Sequence, residues 1–180
     1  MANAPVNPES EKMENISQPP VPLADAAAVH PGIEPISFLL GTWKGQGEGG
    51  FPTINSFSYG EELRFTHHSS RPVIAYTQKT WKLNSGEPMH AESGFWRPKP
   101  DGSIEVVIAQ STGLAEVLKG TYNTEEKVIK LQSELVGNAS KVKEITRVFQ
   151  LIGGDLSYEV GMATNSTSLT PHLRASLKKL

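Results

Sequence analysis

The sequence predicts an all-β protein: a ten-stranded antiparallel up-and-down β-barrel preceded by a short helical turn. Segments of alternating character are separated by turn residues about every ten positions, which is the pattern of an antiparallel meander. Ten such strands left open would expose two edges, and closure into a barrel removes them. A third observation marks where the barrel starts. Gly41-Thr42-Trp43-Lys44-Gly45-Gln46-Gly47 places three glycines and one tryptophan in a single strand. Glycine inside a strand signals a bend, a bulge or the close approach of another group, and Trp43 supplies a large apolar anchor.

Residues 1–34 hold Pro5, Pro8, Pro19, Pro20, Pro22 and Pro31 with no apolar period, so they read as a disordered leader. The folded domain is expected over 35–180. Ile36, Phe38, Leu39 and Leu40 suffice for one short helical turn that could plug the end of a sheet. Strands are expected around 41–47, 56–67, 72–83, 88–97, 103–110, 113–122, 127–136, 142–152, 155–164 and 170–179. Asn84-Ser85-Gly86, Pro100-Asp101-Gly102, Thr112-Gly113 and Gly153-Gly154-Asp155 supply turn chemistry between them. A barrel of this many strands is wider than side chains alone can fill, so a ligand cavity is expected.

The formal net charge of −2, from 17 basic and 19 acidic residues, offers no cationic face for a nucleic acid partner. The absence of cysteine removes disulfides, thiolate metal sites and thiol nucleophiles. No stretch has the apolar length of a membrane span, and Glu9, Glu11 and Glu14 stand where a secretory signal would be apolar. A cytoplasmic location is expected, with the nucleus left open. Glu61, Glu62 and Asp101 form no acid/base pair recognisable from spacing. The glycines at 45–50 superficially resemble a dinucleotide fingerprint but lack the helix that must follow.

Several motifs, in order, resemble the nitrobindin family, specifically its plant type. They are Gly41 through Gly47, Tyr59-Gly60-Glu61-Glu62, Met89-His90-Ala91-Glu92-Ser93-Gly94, Val136-Gly137-Asn138-Ala139-Ser140, and Met162-Ala163-Thr164 followed by Thr170-Pro171-His172-Leu173. The resemblance implies a β-barrel that holds haem b near its mouth through one histidine, here His172. It also implies that the ferric haem binds nitric oxide and isomerises peroxynitrite to nitrate. A homodimer is expected by analogy only. A neutral imidazole is a standard proximal ligand, tuned by whatever its other ring nitrogen donates to. Leu173, Leu177 and Leu180 also fit a helical spacing; the family makes this segment the last strand.

The resemblance carries further positions. Met89 and His90 shape the side of the pocket over the open coordination position; in a regular strand one faces in and the other out, whereas a bulge turns both inward. Thr53 matches a haem-contacting position, and Lys141 or Lys143 is placed to pair with a propionate at the rim. The bland readings are a loop threonine, two surface lysines, and a core methionine beside a surface histidine. Alternation adds two candidate inner rows, Ile104, Val106, Ile108 and Gln110, and Leu156, Tyr158, Val160 and Met162. These rows suit equally a haem-free carrier of a small apolar ligand, similar to lipocalins and fatty-acid-binding proteins, in which Trp43 closes the barrel base.

Overall fold

The computed structural model describes residues 28–180, so the expected leader up to residue 27 lies outside the described residues. A 3-10 helix spans Pro31–Leu39, which puts ordered structure ahead of the boundary expected at 35. Pro31 suits a first helical position because its φ is preset and its missing N–H is not needed there. The His30 ring caps the turn, accepting from the Gly32 amide at 2.9 Å. Ile33, Ile36 and Leu39 are fully buried and close one end of the barrel.

Ten strands follow: β1 (Gly41–Phe51), β2 (Ile54–His67), β3 (Ile74–Lys82), β4 (Pro88–Pro98), β5 (Ser103–Gln110), β6 (Ala115–Asn123), β7 (Val128–Gly137), β8 (Val142–Ile152), β9 (Asp155–Thr164) and β10 (Thr170–Lys179). Each pairs antiparallel with the next, and β1 pairs with β10 to close the barrel. The 170–179 segment is therefore a strand, as the family resemblance implies, although its leucines also fit a helical spacing. Gly153 and Gly154 turn the β8–β9 hairpin at φ of 59° and 95°, conformations that glycine adopts without penalty.

Along its axis the interior has three levels. At the plugged end Trp43, Phe65, Tyr76, Trp96 and Phe149 are almost fully buried, with Trp96 edge-on to Phe65 and Phe149 at 5.6 and 5.1 Å between ring centroids. Trp43 Nε1 donates to the Leu39 carbonyl at 2.7 Å, tying the strand to the plug. The middle level is polar and charged, and the far end is open. The interior is thus filled over two of its three levels, and the expected ligand cavity is confined to the mouth.

The glycine strand owes its composition to the middle level. Gly45, Gly47 and Gly49 face inward opposite Glu61, Tyr59 and Phe57 of β2. A β-carbon on Gly47 would overlap the Tyr59 ring, and one on Gly49 would overlap Phe57 and Leu173. The bare backbone is a trough for the neighbouring strand's side chains.

Candidate functional site at the barrel mouth

Strand direction gathers the candidates. The mouth is formed by the end of β1, the start of β2, the end of β3, the start of β4 and their counterparts through β10. Thr53 lies in the β1–β2 turn, Met89 and His90 open β4, Lys141 and Lys143 flank the start of β8, and His172 opens β10. All six predicted residues therefore stand at one end, opposite the plug.

His172 is turned by a bulge. Thr170 pairs with Met162 and Pro171 with Gly161, but Leu173 pairs with Val160, leaving His172 without an opposite residue. A bulge brings two consecutive side chains to one face, so His172 joins Leu173 on the inner side. Its ring is half-buried and stands edge-on to Phe51 at 5.7 Å. Nδ1 lies 2.9 Å from the Gly50 carbonyl oxygen. A carbonyl only accepts, so Nδ1 carries the proton, and in the neutral ring Nε2 keeps its lone pair. A metal-ligating histidine uses this tautomer and steadies its ring through this kind of bond.

A second bulge shapes the opposite side. Lys79 pairs with Ala91 and Trp81 with Pro88, so Met89 and His90 together oppose the inward-facing Thr80. Both are thereby turned towards the mouth, with Met89 still 42% exposed. The His90 amide donates to Thr80 Oγ1 at 3.0 Å, and its Nε2 lies 3.1 Å from Glu92 Oε1. Thr53, Lys141 and Lys143 are exposed. Ile54 and Leu169 also show large apolar surface at this end. A half-buried imidazole with a free nitrogen, within a partly apolar opening, fits a broad, flat cofactor such as haem.

A concavity of about 950 Å³ reaches His172 and Leu173 but runs mainly across the outer faces of β1 and β8–β10, past Glu48, Thr146, Glu159 and Arg174.

Below the mouth lies a charged level that spacing did not reveal. Arg147 meets Glu92 with two bonds, Nη1 to Oε2 at 3.0 Å and Nη2 to Oε1 at 2.8 Å, and its Nε meets Glu116 Oε2 at 3.0 Å. Gln110 donates to Glu116, and Tyr76 to Glu92. Burial alone would raise the Glu92 pKa, but the Arg147 charge and the bonds from His90 and Arg147 outweigh it and hold the carboxyl at about 2. Glu61, fully buried, accepts from Tyr158 and Gln78. Here burial dominates over those bonds and raises the pKa to about 7. The signal available in the sequence was parity, because Glu61 and Arg147 alternate with buried Tyr59, Leu63, Ile145 and Phe149. This level also leaves no apolar channel for a fatty-acyl chain, although Trp43 closes the base as the carrier reading expects.

A family model described as the THAP4-like, heme-binding beta-barrel domain matches residues 32–179. A protein of Arabidopsis thaliana named peroxynitrite isomerase Rv2717c is 69% identical over 156 residues, covering 87% of this chain and 93% of its own length. Peroxynitrite isomerase 2 of Mycobacterium marinum is 40% identical over 159 residues, 85% of this chain and 98% of its own. The crystal structure of Rv2717c from M. tuberculosis aligns with a TM-score of 0.77 at 34% identity, over 85% of this chain and 99% of that one.

Proposed function

The chain belongs to the family of THAP4-like haem-binding β-barrel domains, the nitrobindins, and from that premise we propose that it is a peroxynitrite isomerase. The cofactor is haem b, the product is nitrate, and nitric oxide is a second ligand of the same site. The observation that carries the reading is His172, whose Nδ1–H is committed to the Gly50 carbonyl while Nε2 stays free at the mouth. The relatives' shared name supports the reaction.

His172 would hold the iron, and the bound haem supplies a Lewis-acidic metal centre at which the anion rearranges. The chain's own residues do the rest. The Gly50 carbonyl fixes the imidazole plane and strengthens its donor nitrogen. Phe51 packs against the ring and restricts its rotation. Met89 and His90 border the opposite side, and Glu92 orients His90. Lys141, Lys143 and Thr53 stand at the rim, where an ammonium or hydroxyl would meet a propionate or an incoming anion.

The reading includes a cytoplasmic homodimer. A row of outward residues runs across five strands through the pairs Ala75–Phe95, Phe95–Val107, Val107–Val117 and Val117–Leu135. Phe95, Val107 and Leu135 are 53%, 45% and 57% exposed, a contiguous apolar strip that a second copy would cover. Light scattering should report a dimer for the wild type and a monomer for Phe95→Glu; unchanged mass in the variant removes this surface from the reading.

The deciding experiment is an optical titration with hemin. The wild type should develop a Soret band that shifts on nitric oxide addition, and His172→Ala should not. Normal haem binding by the variant would overturn the ligand assignment.

A further inference from the structure

Beneath the mouth, the two inner tyrosines form a chain that the haem reading does not use. The Tyr59 and Tyr158 hydroxyls are 2.8 Å apart, and the Tyr158 hydroxyl lies 2.8 and 2.9 Å from the two Glu61 carboxylate oxygens. Both phenols are almost fully buried and Glu61 is completely so. Tyr158 has one hydrogen and spends it on Glu61, so Tyr59 must be the donor to Tyr158. With Glu61 ionised, the order is Tyr59 to Tyr158 to Glu61. Gln78 donates to Glu61 from another side.

The chain begins one rung below the mouth. Tyr59 pairs with Gly47, and the next inward pair towards the opening is Phe57 with Gly49, which itself pairs with Leu173 beside His172. The Phe57 and Tyr59 rings are 5.9 Å apart. Aromatic groups thus lead from the cofactor side to the buried carboxylate. Packing alone does not call for an acid there, since a buried carboxyl is costly and glutamine would satisfy the same partners.

A phenol donating to a carboxylate that no cation holds is the arrangement in which an electron and a proton leave together, so that no buried phenol cation forms. We propose that Tyr158 with Glu61 is a redox-active tyrosine site that quenches one-electron oxidants of the nitrogen dioxide class. The choice of physiological oxidant rests on the peroxynitrite reading. In the step, the oxidant gains one electron and becomes its anion, nitrite in the case of nitrogen dioxide. The Tyr158 O–H bond breaks, its proton crosses to a Glu61 oxygen, and a neutral phenoxyl radical and a carboxylic acid remain. Tyr59 donates to the phenoxyl oxygen and stabilises the radical.

The other two tyrosines serve as internal controls. Tyr76 donates to Glu92 at 3.2 Å, but that carboxylate is already held by Arg147 and His90 and is a poor proton acceptor. Tyr122 donates to the Lys99 carbonyl, which is no base at all.

The test uses the full-length chain without added hemin, so its outcome is independent of the haem assignment. Photogenerated tris-bipyridyl ruthenium(III) is the oxidant, and the frozen sample is read by electron paramagnetic resonance. A tyrosyl signal is expected in the wild type and in Tyr76→Phe, lost in Tyr158→Phe and severalfold weaker in Glu61→Gln. An undiminished signal in Tyr158→Phe, or an equal yield in Glu61→Gln, overturns the proposal. Should Tyr158→Phe not fold, nitrotyrosine mapping of the wild type after peroxynitrite treatment decides: modification at Tyr158 or Tyr59 supports it, and modification confined to Tyr122 overturns it.

Discussion

Replacing Glu61 by glutamine removes the buried acid while keeping its shape and its acceptor towards Tyr158, so the variant isolates the cost of the charge. The carboxyl titrates at about 7 in the fold against an ordinary 4.5. Between those values the folded state binds the proton more tightly than the unfolded chain does. Stability from this group is therefore complete below pH 4.5, falls as the pH rises towards 7, and levels off above it. At about 1.36 kcal/mol for each pH unit, the interval amounts to roughly 3 kcal/mol. Glutamine does not titrate and lacks this slope. Urea unfolding followed by tryptophan fluorescence at pH 5, 6, 7 and 8 should show the difference between variant and wild type growing in the variant's favour by roughly that amount. A difference that stays constant over this range refutes a raised Glu61.

Arg147→Met should destabilise by about 3–5 kcal/mol at neutral pH, because Glu92 and Glu116 are left buried without their counter-charge; urea midpoints measure it, and a double variant that also carries Glu92→Gln should recover part of the loss. Glu92 gives the opposite pH dependence to Glu61. Its folded value of about 2 lies below the ordinary 4.5, so its contribution is present above 4.5 and disappears as the pH falls through 2; an acid titration by circular dichroism should lose that limb in Glu92→Gln. Gly47→Ala forces the Tyr59 ring from its trough and should cost about 1–3 kcal/mol, with a lower thermal midpoint as the readout.

Turn chemistry made the strand plan readable. Asp101-Gly102 and Gly153-Gly154 stop strands because only certain residues turn cheaply there, and the strands at 103–110 and 155–164 fall where expected. The start of the domain was less legible. Pro31 suggests disorder by composition, yet it presets the helix that buries Ile33. The expected cavity was too large, because strand number sets the barrel's width but not what fills it. Period-two alternation grouped Tyr158 and Val160 on one candidate inner face, but the inward turn of His172 depends on an unpaired residue that alternation cannot show. The Arg147–Glu92–Glu116 cluster joins three strands that are distant in sequence, a proximity no local pattern reports.

The bond between His172 and Gly50 spans 122 positions and crosses the seam where β10 meets β1. Ribosomes deliver β1 first and β10 last, so a growing chain lacks this bond until the final strand has zipped shut. On the proposed assignment of His172 as the haem ligand, cofactor capture would wait for the end of assembly, because an unfinished or unzipped barrel holds no oriented imidazole. The coupling also runs in reverse, since whatever occupies Nε2 favours the closed seam by mass action. Haem supply would then act as a clasp on the closed seam.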